Sequence, residues 1–408
     1  MENVCRYSIS STMTANLSIQ SDWDQVLRKA EGEAWISCKI AGKPSIYGSL
    51  KCQGISADGN PELTSSDEFV VHEMTKKCIT VSCPGQNISG KFLSPYTSFS
   101  RVHLKNVTCL DISSGGALGV STSTDQSMKI WQTSNGEIRR VLEGHVHDVY
   151  CCKFFPSGKV VLSGGIDARV KIWSVDDGSC PVTLKGHKGG ILDLAIVDRG
   201  RNIVTCSRDG TARLWDCGQA ASIAIVNNSC VPINAIALGA VDNTVNLGSP
   251  NEAPTCSFAG DREIGTEGKM LILAREDKML EGVSLHSRDS VFIFEGSDAL
   301  NCCTFISSVD ILAGAQDGNI FHLDVRNPKK PVDIICRTGS PVLSLVPFKD
   351  AYIASHGNGS CFIAQSFDQV LQLTGPDCEP VYQVAAWEKF VYTCCRDGII
   401  RKYQLPDL

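Results

Sequence analysis

The sequence predicts an all-β repeat fold of seven similar units, preceded by a small α+β N-terminal domain. Three observations carry that reading. His103, His145 and His187 lie 42 residues apart, and each is followed 22 residues on by an aspartate (Asp125, Asp167, Asp209) and 28 on by a tryptophan (Trp131, Trp173, Trp215). A hydroxyl residue stands four positions before each aspartate, at Ser121, Ser163 and Thr205, and Gly144 and Gly186 precede the second and third histidines. Short alternating runs that open on an aliphatic residue recur through the same region, as half-buried strands do.

The surplus over one ring of seven such units is about 90 residues, room for one small domain, and it lies at the N-terminus. Residues 1–18 are Ser/Thr-rich with no apolar run and are expected to form a disordered tail. Residues 19–91 are expected to form the α+β domain. Ser21 can cap a short helix over Gln25–Ala30. Strands are predicted at Ala34–Cys38, Tyr47–Cys52, Phe69–Glu73 and Cys78–Ser82, with a turn at Asp58–Pro61.

Residues 92–408 hold the repeats. Seven opening strands begin at Val107, Val149, Ile191, Ile233, Leu300, Val342 and Val381, spaced by 42, 42, 42, 67, 42 and 39 residues. A turn residue recurs equally often, at Asp125, Asp167, Asp209, Asp277, Asp317, Asn358 and Asp397. The one long interval marks an excess of 26 residues in unit four, because Ile233 to Asp277 spans 44 residues against 18 in the first three units. Residues 248–268 in that excess are rich in turn-formers and read as a mobile loop insert. Placing the turn at Asp242 instead would leave too few residues for two strands.

A period near 42 with Gly-His, Asp and Trp-Asp landmarks resembles the WD40 repeat. The resemblance implies a seven-bladed β-propeller. The last unit reaches only Ile399–Leu405, its third strand by register, so Thr97–Val102 is expected to supply the fourth and close the ring. In WD40 blades the His, the Ser or Thr, the Asp and the Trp form one polar chain across the strands; here those are His103, Ser121, Asp125 and Trp131, then His145, Ser163, Asp167 and Trp173, then His187, Thr205, Asp209 and Trp215. The rival reading, a Ser/His/Asp hydrolase triad, fits three equivalent copies poorly. Units four to seven lack the His and Trp pattern and are expected to rely on apolar packing.

Propellers of this kind bind partners on the face formed by the loops into each opening strand and the turns before each Asp. After the opening residue stand Thr108, Tyr150, Leu192, Asn234, Asn301, Leu343 and Tyr382; before the turn residue stand Thr124, Ile166, Arg208, Glu276, Gln316, Gly357 and Arg396. This mixture of aromatic, amide and charged side chains suits a protein contact. The foremost candidates are Tyr150, Tyr382, Arg208 and Arg396, with Asp148 and Glu276 as acidic neighbours and Asn301 and Gln316 beside them. The insert, joining strands one and two of its blade, would lie on the opposite face.

Composition narrows the class further. A net charge of −6 offers no basic footprint for nucleic acid. The 20 cysteines include no Cys-x-x-Cys pair, and many fall within predicted strands. They are expected to be buried thiols in a reducing compartment rather than disulfides or metal ligands. With no secretory leader and no apolar run of spanning length, the chain is expected to be cytosolic, nuclear or both. No catalytic constellation, cofactor or metal site is expected.

The phrases Ser21–Trp35, Gly186–Asp193, Val197–Asn202, Ser207–Asp216 and Cys394–Gly398 resemble the proteasomal ATPase-associated factor 1 family, over about Ile19 to Leu408. The Trp-containing Ser21–Trp35 phrase and Val197–Asn202 are the most particular. The resemblance implies a non-enzymatic scaffold that binds ATPase subunits of the 19S regulatory particle base, assists assembly of the base and restrains its association with the 20S core. It is expected to be monomeric outside that complex. The alternative is a substrate receptor of a ubiquitin ligase. Against it, no F-box-like segment precedes the ring, and Trp215-Asp216 is followed by Cys217 and Gly218 where an adaptor motif would need Arg.

Overall fold

The computed structural model describes residues 16–40, 42–56, 61–247, 262–364 and 370–406. Seven blades stand in a ring, six of them four-stranded antiparallel sheets and one, blade six, the same four-stranded unit extended by further strands. Blade one runs outward through Val107–Ile112, Leu118–Ser123, Met128–Gln132 and Ile138–Leu142, and blade two through Val149–Phe154, Val160–Gly165, Arg169–Ser174 and Val182–Lys185. Burial follows that order. Second strands are sandwiched between neighbouring blades, so Asn202–Ser207 is buried at every position, whereas the rim strand Ile138–Leu142 buries only Leu142. A strand covered on both faces must be apolar or internally bonded throughout.

The opening strands pack one on the next around the centre, and Val381–Trp387 of blade seven packs on Val107–Ile112 of blade one. Closure rests on the strand expected to complete blade seven. Thr97–Phe99 pairs antiparallel with Ile400–Gln404, placing Phe99 opposite Ile400. Phe99 then tilts against the Trp131 ring of blade one at 5.3 Å. Across the same seam the Trp387 indole donates to Ser114 O at 3.0 Å and lies over Gly116, where a Cβ would meet the ring at 2.2 Å.

The N-terminal segment departs from its expected organisation. Asn16–Ile19, Glu33–Lys39, Ile46–Ile55 and Pro61–Ser65 form a separate four-stranded sheet, so residues 16–18 belong to a strand; burial of Leu17 and Ile19 holds it there. Residues 1–15 lie outside the described residues. The helix is a single turn, Trp23–Val26, because the chain reverses at Lys29–Gly32 to enter the next strand. Of the expected turn at Asp58–Pro61, residues 58–60 lie outside the described residues and Pro61 opens the strand Pro61–Ser65.

The larger correction concerns the boundary at residues 91 and 92, which falls inside a strand. Val70–Met74, Cys78–Cys83 and Ile88–Leu93 do not form a free-standing sheet. They extend blade six to seven strands, with Ile88–Leu93 running parallel to Val370–Leu373. The cause is the outer strand of blade six, which buries Leu371 and Leu373 and has edge groups available to a further strand. Trp23 Nε1 donates to Thr374 Oγ1 at 3.1 Å and Gln372 Nε2 to Leu17 O at 3.0 Å, fastening the separate N-terminal sheet and its helix to blade six.

Blade four places its insert between Ile233–Ala240 and Lys269–Arg275, at the end of the ring away from the loops that enter the opening strands. Residues 248–261 lie outside the described residues. The returning limb is gripped by blade three: buried Asn202 donates to Arg262 O at 3.0 Å and accepts from Ile264 N at 2.6 Å. Among the described residues no helix is long and apolar enough to cross a membrane.

A chain beginning at Leu104 lacks both Thr97–Phe99 and the strands added to blade six. Its thermal unfolding is predicted to fall by several degrees or more, since each kcal/mol lost shifts Tm by roughly 2–4 °C in a domain of some 150–250 residues. Melting at the temperature of the intact chain would contradict this closure.

Candidate partner-binding face

The repeated residues form three superposable polar chains. In blade two Trp173 Nε1 donates to Ser163 Oγ at 2.8 Å, Ser163 Oγ lies 2.8 Å from His145 Nε2, and His145 Nδ1 lies 3.0 Å from Asp167 Oδ2. The Asp167 carboxyl oxygens act as acceptors, taking the Val146 and Arg169 amides as well, so Nδ1 carries the imidazole proton and Nε2 accepts from the serine hydroxyl. Blade three repeats the order through Trp215, Thr205, His187 and Asp209, with 2.8, 2.7 and 3.0 Å steps. Blade one does so through Trp131, Ser121, His103 and Asp125, its last step stretched to 3.4 Å.

A hydrolase triad has similar distances, but the surroundings differ. Ser121, Ser163 and Thr205 are fully buried, and each hydroxyl already accepts an indole N–H. Burial depresses the His103 imidazole to about 4, outweighing the pull of Asp125, and also lowers His145 and His187. Burial opposes ionisation of Asp125, yet hydrogen bonds from Ser127 and attraction to His103 hold it at about 2. These sets are neutral braces under a carboxylate.

The same carboxylate oxygens that meet the histidines also shape the face. Asp125 Oδ2 and Asp167 Oδ2 accept the amides of Leu104 at 3.5 Å and Val146 at 3.4 Å, and Asp209 Oδ2 accepts that of Lys188 at 2.7 Å. Each fixes the tip of the loop entering its blade. Three of the four blades without the full motif carry substitutes, so apolar packing is not their sole support. In blade four Arg275 pairs with Asp277 at 2.5 Å and Glu281 at 3.1 Å; in blade five Asp317 bonds Asn319 at 2.8 Å and the Ser297 hydroxyl; in blade seven Arg401 pairs with Asp397 at 2.5 Å. Sequence reasoning missed these because a different cation or amide fills each place.

A second repeated device aims the inner ring of side chains. In every blade the ladder between the first and second strands slips by one residue at its start, as where Val149 faces Gly165 but Cys151 faces Gly164. The residue skipped is Thr108, Tyr150, Leu192, Asn234, Asn301, Leu343 or Tyr382, the position singled out from the sequence. All seven line a central channel of about 590 Å³. A β-bulge leaves its extra residue out of the ladder and re-aims it, here towards the axis. Deeper in the channel Asp111 accepts from Phe154 N at 2.7 Å, Asp193 from Ile236 N at 3.0 Å, and Lys153 sits 3.4 Å from Asp193. Burial raises Asp111 to about 6 despite the Phe154 bond.

The candidates divide into groups. Arg208, Glu276, Asn301 and Gln316 share a hollow of about 670 Å³ over blades three to five, with Leu192, Pro232, Asn234 and Ala299. Asn301 Nδ2 donates to Gln316 Oε1 at 2.9 Å, which fixes one wall. Tyr150 and Tyr382 line the channel instead. Arg396 is exposed but held by Glu379 at 2.6 Å, and Asp148 is half-buried, its carbonyl accepting Ile166 N at 3.0 Å. Neither lines the hollow. Exposed Leu104 and Val146 at the loop tips were not singled out from the sequence; the available signal was an aliphatic residue directly after a buried motif histidine. Among the described residues no cluster of three or more His, Cys, Asp or Glu could hold a metal ion, and every described cysteine is a free thiol.

A family model described as "WD domain, G-beta repeat" matches residues 94–132, 136–174 and 178–216. Proteasomal ATPase-associated factor 1 of Gallus gallus is 64% identical over 397 residues, covering 97% of this chain and all of that protein. The Bos taurus protein of the same name is 65% identical with the same coverage. Probable proteasomal ATPase-associated factor 1 of Dictyostelium discoideum is 35% identical, covering 94% of this chain and 95% of its own.

Ser163→Ala leaves the Trp173 indole and His145 Nε2 without a buried partner and is predicted to cost about 1–3 kcal/mol in denaturant unfolding. Acid should destabilise the protein through the imidazoles. With His103 and His356 held at about 4 by burial, the unfolded chain binds protons first as pH falls below the ordinary histidine value. Stability is therefore expected to decline from pH 6.5 to 4; a flat profile across that window would contradict the neutral-brace assignment.

Proposed function

Because the chain belongs to the proteasomal ATPase-associated factor 1 family of WD40-repeat proteins, we propose that it is a non-enzymatic scaffold that binds ATPase subunits of the 19S regulatory particle base. The hollow over blades three to five carries this reading, since it gathers Arg208, Glu276, Asn301 and Gln316 at the mouth of a closed ring. A concave site with a few convergent polar groups on a rigid support suits recognition of a protein segment. The buried, triplicated Ser/Thr–His–Asp sets favour a scaffold over a hydrolase, because no substrate reaches their hydroxyls.

Binding would assist base assembly and restrain association with the 20S core by steric means. A rigid ring seated on the C-terminal region of an ATPase subunit occupies the space that the core particle must enter. Nothing in this mechanism requires a nucleotide, metal or covalent intermediate. Release follows when a competing surface forms during assembly.

Affinity purification of the tagged full chain, with identification of co-purifying proteins, tests the reading. Free or partly assembled 19S ATPase subunits are expected. Recovery of a cullin adaptor without those ATPases would support a ubiquitin-ligase receptor instead, and binding only to complete 26S particles would overturn the assembly role. Charge reversal of Arg208 (R208E) should weaken ATPase capture while leaving the melting temperature nearly unchanged, as befits an exposed side chain.

A further inference from the structure

The face carries an apolar arc beside the hollow. Leu104 is 90% exposed, Val146 60% and Ile166 42%, on the loops of blades one and two. The backbone beneath each is hydrogen-bonded in place. The Leu104 and Val146 amides are anchored by Asp125 and Asp167, and the Ile166 amide donates to Asp148 O at 3.0 Å. Holding aliphatic groups rigidly in water gives no folding benefit, but it lowers the ordering cost of docking.

Charge decides what the arc accepts. A Cβ on Gly190 would lie 3.2 Å from Ile166 Cα, and one on Gly189 3.2 Å from Arg208 C, so a nearly bare stretch of backbone links the apolar arc to the Arg208 side of the hollow. Lys188 is carried at the tip of that same loop. Among the exposed side chains on this side Lys105, Lys188 and Arg208 outnumber Glu143, with Asp148 half-buried and the Asp125, Asp167 and Asp209 carboxylates largely buried against their histidines, whereas on blades four and five Glu276 and Asp298 are exposed and the exposed cation Lys278 is paired with Glu295. The sign of the rim changes round the ring. We propose that blades one to three dock an acidic segment of the ATPase partner that carries aliphatic side chains, its aliphatic groups on Leu104, Val146 and Ile166 and its carboxylates on Lys188 and Arg208. This deepens the functional reading above and rests on it.

The test measures binding of the full chain to each 19S ATPase subunit expressed singly, across a salt series. L104D/V146D should weaken the Kd roughly tenfold or more, as loss of interface anchors does. K188E/R208E should weaken it comparably and flatten its salt dependence. Both variants should melt close to wild type; where the aspartates lower the Tm, L104S/V146S replaces them. An unchanged Kd for the apolar variant in a subunit that wild type binds would overturn the docking arc alone. Failure of wild type to bind any subunit would overturn the functional reading and this inference with it.

Discussion

Everything in this molecule depends on a three-residue strand. Thr97–Phe99 belongs by position to the start of the repeats but pairs with Ile400–Gln404 at their end. Without it blade seven would present an open edge, and blades seven and one would meet without Phe99 against Trp131. Burying one such ring contributes about 1.5–3 kcal/mol, a large share of a domain's net stability. The preceding residues tie blade seven to its other neighbour, because Ile88–Leu93 is already part of blade six when the chain crosses to blade seven. One continuous segment thus stitches two blades from outside while its tip closes the ring.

Closure makes the face possible. Loops on an open sheet would shift with the strands that carry them, whereas here each entry loop in blades one to three is fastened to an aspartate that a buried His, hydroxyl and indole hold in place. The bulge at the start of every opening strand then turns one side chain towards the axis. The repeat therefore supplies supports and directions, and the variable residues between them supply chemistry. Polar chains buried as neutral groups avoid the desolvation cost that a buried ion pair would carry.

Much of this was legible in the sequence for physical reasons. The blade count rested on the aliphatic opening residue and the turn residue, both demanded by geometry in every blade, so loss of the His and Trp after unit three did not hide the later copies. The closing strand could be inferred because an incomplete last sheet needs a partner. The three strands added to blade six were not legible as such: alternation identifies a strand but not a neighbour far away in sequence. The helix shrank because the reversal at Lys29–Gly32 overrode helical propensity in Gln25–Ala30. At the face, position was readable and grouping was not. Arg208 and Glu276 emerged on one hollow, while Arg396, of the same residue type and register, is occupied by Glu379.

The central claim is that a rigid closed ring presents the entry-loop face, not the face bearing the insert, to a proteasomal ATPase. Lysine crosslinking of the full chain to a bound 19S ATPase subunit tests it most directly. Lys105, Lys188 and Lys278 lie on the entry loops and turns of the first face, and Lys159, Lys349 and Lys389 on the strand-one to strand-two turns of the other. Crosslinks concentrated on Lys105 and Lys188 are the predicted result. Crosslinks concentrated on Lys159, Lys349 and Lys389 would contradict it.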